Sequence, residues 1–299
     1  MRPANLALLA DRGIVRVAGA DAKKLLQGLI TNDMDLLGTE PAIHAALLSP
    51  QGKILFEFFV VGSGEAYLLE TAAAQAANLS KRLMLYKLRA KAEISDQSAN
   101  YAVFAVWGAP SGGLAAMPGS TGFTDPRLAQ LGMRIIAPNA ARAAVEAAPG
   151  TQPATAADWH RLRIALGVPE ADRDYRLGDT FLHEANYDQL SGVSFSKGCF
   201  IGQEVASRMQ HRGGGRKRIV GVEGTAALAA NAAIRAGTVS LGSLGSVDGS
   251  RALALVRLDR AAEALAAGAA LTADDVPINL IKPAWAHFAM APTPRTEAV

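Results

Sequence analysis

Hydrophobic and polar residues alternate along the first part of the chain in the pattern of β-strands. The alternation is clear at residues 13–18 and continues through residues 45–69, where residues 49–52 and 62–65 mark turns. Residues 72–88 instead place apolar side chains at helical spacing and predict one long helix. The order of strands and helices predicts an α+β unit that resembles a ferredoxin-like sandwich.

Shorter elements follow the same rules. Asp21 is expected to cap a helix over residues 22–27, and Asn139 is expected to cap another over residues 139–148. A further helix is predicted at residues 156–166. Strands are predicted at residues 92–95, 102–107 and 133–136. After Arg218 the apolar runs become short and are separated by Gly, Ser and Asp, which predicts a small all-β barrel or sandwich.

Composition and charge restrict the classes of function. Half of the 299 residues are apolar and 19% are charged, so the chain can bury large cores. A net charge of +3 argues against a chain-wide nucleic-acid surface. The apolar stretch at residues 6–10 is too short for a signal or transmembrane helix. With one cysteine we expect a reducing compartment: the cytoplasm, or the mitochondrial matrix in a eukaryote.

The single cysteine, Cys199, lies in the most informative segment of the chain. Residues 193–199 alternate in a strand-like way, and residues 203–212 predict a helix in which Glu204 and Arg208 form an i,i+4 pair. A helix N-terminus close by and Lys197 two residues away favour the thiolate. The alternative is a buried cysteine that serves only as a small hydrophobic residue.

Two charged clusters could bind a ligand. Three carboxylates lie close together in sequence at Asp179, Glu184 and Asp188, and such a group suits a flat heterocycle with adjacent N–H donors, although an ordinary surface loop is the alternative. A basic cluster could grip phosphates or carboxylates, or form a solvated turn. Its members are Arg208, Arg212, Arg216, Lys217 and Arg218. No metal site is expected, because the five histidines are dispersed and one cysteine cannot build a metal cage.

The sequence around the cysteine resembles a family signature. Residues 197–204, Lys-Gly-Cys-Phe-Ile-Gly-Gln-Glu, are similar to the signature of the YgfZ family of folate-binding proteins, which assist the assembly or repair of iron–sulfur enzymes. Other blocks stand in the family's order, so the resemblance covers most of the chain. They are residues 27–33, 49–53, 163–169, 184–186, 192–195 and 216–218.

This resemblance implies a fold and a domain order. The family shares its fold with the aminomethyltransferase (T-protein) of the glycine cleavage system, which implies an α+β, aminomethyltransferase-like architecture. Two ferredoxin-like α+β domains and a small C-terminal β-barrel would surround a central opening that accepts folate. The implied domains are residues 1–48 with 151–213, which carry the Lys-Gly-Cys motif, an inserted domain at 49–150, and a barrel at 214–299.

The resemblance also implies site residues. Glu184 looks like the residue that holds the pterin edge of tetrahydrofolate or a one-carbon derivative. The expected folate-binding residues are Glu184, Asn186, Asn32, Asp33 and Arg212, of which Arg212 is our addition because folate's glutamate tail is anionic. The functional motif comprises Cys199 and Lys197 with Gly198, Phe200, Gly202, Gln203 and Glu204. No metal ligands are expected.

One departure separates two functional hypotheses. The transferase pattern has two aspartates where this chain has Phe56 and Glu57, so folate-dependent aminomethyl transfer becomes the alternative. The favoured hypothesis is a tetrahydrofolate-binding accessory protein for iron–sulfur, in particular 4Fe–4S, enzymes, rather than a conventional enzyme. Its partners would be folate and iron–sulfur enzymes or cluster assembly proteins, with no membrane and no direct nucleic-acid binding. A module that only docks on another enzyme is a third hypothesis.

Overall fold

The computed structural model describes residues 2–109, 119–211 and 215–290. The chain divides into two compact units, residues 1–162 with 190–203 and residues 163–189 with 204–299. The helices are α1 (Ala22–Leu29), α2 (Ala73–Lys87), α3 (Arg142–Glu146), α4 (Ala156–Leu166), α5 (Gln203–His211) and α6 (Leu258–Ala266). The strands are β1 (Ala4–Leu8), β2 (Arg12–Ala18), β3 (Ala42–Leu48), β4 (Ile54–Ser63), β5 (Ala66–Ala72), β6 (Glu93–Asp96), β7 (Tyr101–Trp107), β8 (Thr121–Thr124), β9 (Met133–Pro138), β10 (Thr151–Pro153), β11 (Lys217–Gly224), β12 (Ala233–Ala236), β13 (Val239–Asp248), β14 (Arg251–Arg257), β15 (Leu271–Ala273) and β16 (Val276–Ile281).

The first unit contains an antiparallel sheet in the order β3-β4-β5-β2-β6. The sequence β2-α1-β4-β5-α2-β6 follows the βαββαβ pattern of a ferredoxin-like domain, with β3 added beside β4. Leu26 of α1 and Leu79 and Leu83 of α2 pack against Phe56 and Phe58 of β4 in one buried core. The apolar faces predicted from helical spacing therefore cover one side of this sheet.

A second sheet in the same unit has the order β10-β1-β7-β9-β8. Its pairs are antiparallel except for β1 and β10, which run parallel and bring the N-terminal strand beside residues far along the chain. Leu6, Phe104, Ile135 and Val145 form its core, the last from α3. The sheet thus combines strands from both ends of the first unit's main segment.

The second unit contains a closed barrel in the order β11-β14-β13-β12-β15-β16, as the short apolar runs near the C-terminus predicted. Upstream of the barrel strands, Arg163 fixes the turns that come after α4. Its guanidinium donates to Asp174 at 2.5 Å, to the carbonyl oxygen of Val168 at 2.8 Å and to Ser246 of β13 at 2.7 Å. Arg163 is fully buried, so these bonds tie the turns to the barrel strand.

Three local predictions were wrong. The alternating residues 193–199 form bends and irregular backbone rather than a strand. Asp21 makes no side-chain cap on α1, because its carboxylate accepts a hydrogen bond from the backbone of Lys91 instead. Asn139 is the first residue of a short 3₁₀ turn that leads into α3, so it caps neither, and its amide donates to the carbonyl oxygen of Ala99.

The implied three-domain division stays a prediction. β3 and β4, on either side of the boundary expected at residues 48 and 49, pair with each other in one sheet. Within residues 2–109, 119–211 and 215–290, no helix is long and apolar enough to cross a membrane.

Candidate functional site

The thiol of Cys199 is exposed. It lies in an irregular segment, residues 191–202, which we call the cysteine loop and which leads into α5 at Gln203. The exposure excludes the alternative that Cys199 is a buried packing residue. Two side chains beside it in the loop are buried, since Lys197 and Phe200 are each only 7% exposed. The loop therefore presents the sulfur outward while its flanking side chains hold it.

Lys197 anchors the cysteine loop with its ammonium group. Its Nζ donates to the carbonyl oxygens of Ile30 at 2.9 Å and Asn32 at 2.7 Å, and it lies 5.5 Å from the centre of the Phe200 ring. Burial lowers the pKa of Lys197 to about 8, against the opposing effect of nearby aspartates. The electrostatic role toward the thiol that we expected for Lys197 stays a prediction. Its hydrogen bonds fix the backbone.

The turn at residues 30–33, which follows α1, supplies the other side of this attachment. The Thr31 hydroxyl donates to the carbonyl oxygen of Gly192 at 2.7 Å, and the backbone N–H of Ser194 donates to the carbonyl oxygen of Thr31 at 3.0 Å. The Asn32 amide donates at 2.8 Å to the carbonyl oxygens of both Ser191 and His44. Both side chains are buried, so these bonds are shielded from water.

These contacts bear on two residues expected to bind folate. The Asn32 side chain is engaged on both of its ends, because its Oδ1 accepts from the backbone of Asp33 at 2.9 Å. The carboxylate of Asp33 accepts from the backbone of Asp35 and from Gln27, and the first of these bonds is the main reason its pKa is lowered. Their assignment to folate stays a prediction, while their observed contacts hold the turn and the cysteine loop.

Gly202 seats the end of the cysteine loop on a second turn. It has φ of +78°, and a Cβ at this position would lie 2.6 Å from the carbonyl oxygen of Ser49 and 3.1 Å from the Cα of Gly52. Only glycine allows both this backbone conformation and this close approach. Gly198 differs, since a Cβ there would meet nothing within 4 Å. Two blocks that are far apart in sequence, residues 49–53 and the cysteine motif, therefore pack against each other at Gly202.

The helix after the cysteine loop begins as predicted. The backbone N–H of Gln203 donates to the carbonyl oxygen of Phe200 at 3.2 Å, and α5 runs to His211. Glu204 in its first turn accepts from Arg208 at 2.5 Å, which confirms the i,i+4 pair. Both of these side chains are largely exposed, so the pair adds little stability.

The other expected folate residues lie in the second unit. Those among the described residues are Glu184 and Asn186, and both are hydrogen-bonded to the backbone of Ile219 in β11. The N–H of Ile219 donates to the carbonyl oxygen of Glu184 at 3.1 Å, and its carbonyl oxygen accepts from the Asn186 amide at 2.8 Å. The Glu184 Oε2 accepts from the backbone N–H of Phe181 at 2.9 Å. The Oδ1 of Asn186 is buried without a hydrogen-bond partner among residues 2–109, 119–211 and 215–290. A buried acceptor of this kind suits a ligand that brings an N–H donor.

The basic cluster is split between a structural and an exposed part. Arg218 is buried and pairs with Asp188 through two hydrogen bonds of 2.5 Å and 2.9 Å, and it donates to the carbonyl oxygen of His183 at 2.7 Å. Arg216 and Lys217 are exposed. Arg212, expected to bind folate, lies outside the described residues. The sequence showed that Glu184 and Asp188 lie close together along the chain. It did not show that Asp188 forms a structural ion pair with Arg218, whereas Glu184 is the candidate ligand-binding carboxylate.

Glu57, at the position where the transferase pattern was expected to have an aspartate, faces away from Phe56 into a buried ion cluster. Its Oε1 lies 3.2 Å from Nε2 of His44 and 3.8 Å from Arg127. Arg127 in turn donates to both carboxylate oxygens of Asp125 at 3.0 Å and 2.8 Å. Phe56 packs in the core on the opposite face of β4. The carboxylate of Glu57 is thus engaged inside the first unit.

The cluster continues between the two sheets of that unit. Arg134 of β9 donates to Glu70 of β5 at 2.8 Å and to Asp125 at 3.4 Å, and its guanidinium lies 4.9 Å from the centre of the Phe59 ring. Burial alone would raise the pKa of Asp125, but the guanidinium groups of Arg127 and Arg134 lower it to about 2. These charges join the sheets. They form no metal site, and no group of three or more potential ligands is placed to hold a metal anywhere in the part of the chain that is described.

The C-terminal barrel is matched by a known family. Residues 216–288 match the family described as "CAF17, C-terminal beta-barrel domain". The chain is also 34% identical over 234 residues to "Iron-sulfur cluster assembly factor IBA57, mitochondrial" of Homo sapiens, covering 71% of this chain and 64% of that protein. The homolog from Mycosarcoma maydis is 32% identical over 229 residues, covering 72% and 56%. The chain is IBA57-like in sequence.

The relatives are longer than this chain, and the fold neighbour is distant in sequence. The chain spans between 56% and 65% of the length of the human, mouse and Mycosarcoma maydis proteins. They are named for IBA57, to which the YgfZ family is related. Among solved structures, the glycine cleavage system aminomethyltransferase T from Bartonella henselae superposes with a TM-score of 0.76 at 15% identity, over 96% of this chain and 87% of that one. The predicted aminomethyltransferase-like fold with a C-terminal β-barrel is therefore confirmed.

Proposed function

We propose that this protein is an accessory factor for the assembly or repair of iron–sulfur enzymes, 4Fe–4S enzymes in particular, that it binds tetrahydrofolate and that it acts through Cys199. The observation that supports this most directly is the exposed thiol on an anchored loop. The names of the similar curated proteins, iron–sulfur cluster assembly factors, support the class of process. The partners would be cluster assembly proteins or the iron–sulfur enzymes themselves.

The chemistry of the site suits transient ligation of iron. A thiolate is a soft ligand that iron–sulfur clusters prefer, and the thiol gives up its proton when it binds. One cysteine supplies one ligand, so the remaining ligands would come from a partner protein or a small thiol. The anchors at Lys197 and Gly202 hold the loop backbone, so the sulfur is presented with little loss of conformational entropy when a partner arrives.

Glu184 and Asn186 fit the proposed folate ligand in part. Glu184 is half-buried and uses Oε2 for a backbone bond, which leaves Oε1 to accept from a ligand. The buried Oδ1 of Asn186 is a second acceptor. Two acceptors match the adjacent N–H donors on the edge of a pterin ring. Tetrahydrofolate, when bound, would supply a reduced pterin able to carry a one-carbon unit. Arg212, Arg216 and Lys217 are the proposed contacts for its anionic tail.

Aminomethyl transfer is not the function we propose. The fold neighbour shares only the fold at 15% identity. The nearest substitute for the missing aspartates, Glu57, is paired with His44 and Arg127 inside the first unit. A carboxylate held in this way is a poor candidate to act on a substrate.

The cellular compartment belongs to the same proposal. The lone cysteine favours a reducing compartment, either the cytoplasm or the mitochondrial matrix, and the names of the similar curated proteins include the word mitochondrial.

The thiol is tested by genetic complementation. A strain that lacks this protein is supplied with the wild type, Cys199→Ser or, as a control outside the motif, Arg142→Met, and the activity of a 4Fe–4S enzyme is compared with the amount of that enzyme. We expect the wild type and Arg142→Met, which breaks only an exposed ion pair on α3, to restore activity, and Cys199→Ser to leave it at the level of the deletion. Because Cys199 is exposed, its substitution should not change the melting temperature. Full restoration by Cys199→Ser at equal protein level would refute the proposal.

A further inference from the structure

The C-terminal turn of α2 exposes large apolar side chains to solvent. Met84 is 48% exposed, Leu85 is 71% exposed and Leu88, just after the helix, is 87% exposed. On the opposite side of the same helix, Leu79 and Leu83 are fully buried in the core. Leu79 and Leu83 therefore attach the helix to the core, and the three exposed apolar residues do not contribute to that packing.

A dense group of cations surrounds these residues. Residues 81–91 contain five cations and no acidic residue, so their local charge exceeds the net charge of +3 of the whole chain. The cations are Lys81, Arg82, Lys87, Arg89 and Lys91. None forms an ion pair with a carboxylate in the described parts of the chain. We call these cations with Met84, Leu85 and Leu88 the α2-end surface.

A structural role explains only part of this surface. Cations near the last turn of a helix interact favourably with its dipole, which accounts for residues such as Lys87. It does not account for Leu88, which adopts φ of +47°, a region that disfavours residues other than glycine. Leu88 combines an unfavourable backbone conformation with an apolar side chain that is almost fully exposed to water, and a glycine at this position would avoid both costs. A binding role for the side chain explains why the residue is a leucine.

We propose that the α2-end surface docks an acidic segment of a partner protein that carries apolar side chains. Charge complementarity favours the acid, since the unpaired cations would otherwise repel one another. The three exposed apolar residues form one patch of about one helical turn, against which the apolar side chains of such a segment can pack. Anionic membranes fit less well, because the outward positions of the preceding turns are Ala74, Ala77 and Asn78, which are too small or too polar to insert.

A displayed random peptide library tests this proposal on the full chain. Peptides are selected on the wild type and counter-selected on a variant with Lys81→Glu, Arg82→Glu and Leu85→Ser together. We expect enriched peptides to combine Asp or Glu with Leu, Phe or Met. Their affinity should fall at least about tenfold with Leu88→Gly or with Lys81→Glu plus Arg82→Glu, and it should fall as salt is raised. Leu88→Gly should fold at least as stably as the wild type because it relieves the positive φ.

Matched controls lie on α6, which carries the exposed residues Leu265 and Arg260. Leu265→Ser plus Arg260→Glu should leave peptide binding unchanged. Cys199→Ala should bind the peptides as the wild type does, so this test is independent of the proposed thiol function. Peptides that bind all variants equally, or no acidic enrichment, would overturn the proposal. A second result would also overturn it: no enrichment of acidic peptides, together with binding of the wild type but not of Leu88→Gly to vesicles that contain phosphatidylglycerol. In that case the surface would bind a membrane rather than a protein segment.

Discussion

The Nζ atom of Lys197 lies 2.7 Å from the carbonyl oxygen of Asn32, so a buried ammonium group ties the cysteine loop to a turn far away in sequence. The same Nζ donates to the carbonyl oxygen of Ile30 at 2.9 Å. Both acceptors are neutral, so the charge is solvated by backbone dipoles rather than by a contacting carboxylate. This arrangement makes the attachment of the loop dependent on a group that titrates near pH 8.

The first prediction concerns the pH dependence of this attachment. The pKa of Lys197 is about 8 in the folded protein and 10.5 as its ordinary value, so between these values the unfolded chain binds more protons. The contribution of Lys197 to stability therefore rises with pH across this window, and the neutral amine can still donate its hydrogen bonds. Relative to Lys197→Met, the wild type should gain about 1–2 kcal/mol in free energy of unfolding between about pH 8 and about pH 9.5. Urea unfolding at the two pH values measures this difference, and a difference that shrinks with pH would contradict it.

The second prediction compares two glycines in the cysteine loop. Gly202→Ala should lower the free energy of unfolding by roughly 2 kcal/mol or more, because the new methyl group meets the carbonyl oxygen of Ser49 at 2.6 Å and the backbone has a positive φ. Gly198→Ala should change it by less than about 0.5 kcal/mol, since that position opens on free space. Thermal melting measures both variants. Equal effects of the two substitutions would show that the turn does not constrain Gly202.

Helices and barrel strands were predictable because their signal is periodic and local. The spacing of Leu79 and Leu83 predicted α2, and the short runs after Arg218 predicted the barrel. Residues 193–199 were predicted as a strand because their side chains alternate in a strand-like way. The alternation has another cause: the N–H of Lys197 donates to the Ser194 hydroxyl, and its side chain reaches backbone carbonyls, so no neighbouring strand is needed.

For several polar side chains, the hydrogen-bond partner lies far away in sequence and could not be predicted from the sequence alone. Asp21 and Asn139 have the chemistry of helix caps, but more distant backbone groups take their side chains. Asn32 lies in one of the blocks on which the family resemblance rests, yet only the fold shows that its amide reaches Ser191. The residue type was informative in each case, while the partner depended on the tertiary structure.

The third prediction addresses the proposed folate site. Glu184→Gln should weaken tetrahydrofolate binding by about 10- to 100-fold, because a charge-assisted hydrogen bond to the pterin edge is replaced by a neutral one. Glu223→Gln, which removes an exposed carboxylate on β11, serves as the control and should bind as the wild type does. Titration followed by tryptophan fluorescence measures both. If the wild type shows no saturable binding, the folate part of the proposal fails and the thiol part remains.

The last prediction concerns the charges between the two sheets. Arg134 joins Glu70 and Asp125 and stacks on Phe59 and Trp159 at 4.9 Å and 4.7 Å from the ring centres. Arg134→Met fills a similar volume but leaves buried carboxylates short of a partner, so we expect a loss of about 3–5 kcal/mol in free energy of unfolding.

The same substitution should change the acid sensitivity of the protein. In the wild type the lowered pKa of Asp125, about 2 against 3.8, contributes stability above pH 3.8 that is lost as the pH falls toward 2. Without Arg134 the pKa of Asp125 should rise, and the midpoint of acid unfolding should move to higher pH. Circular dichroism during acid titration measures the midpoint, with Arg142→Met, which breaks only an exposed pair on α3, as the control. An unchanged midpoint in Arg134→Met would mean that Arg127 alone keeps Asp125 ionised.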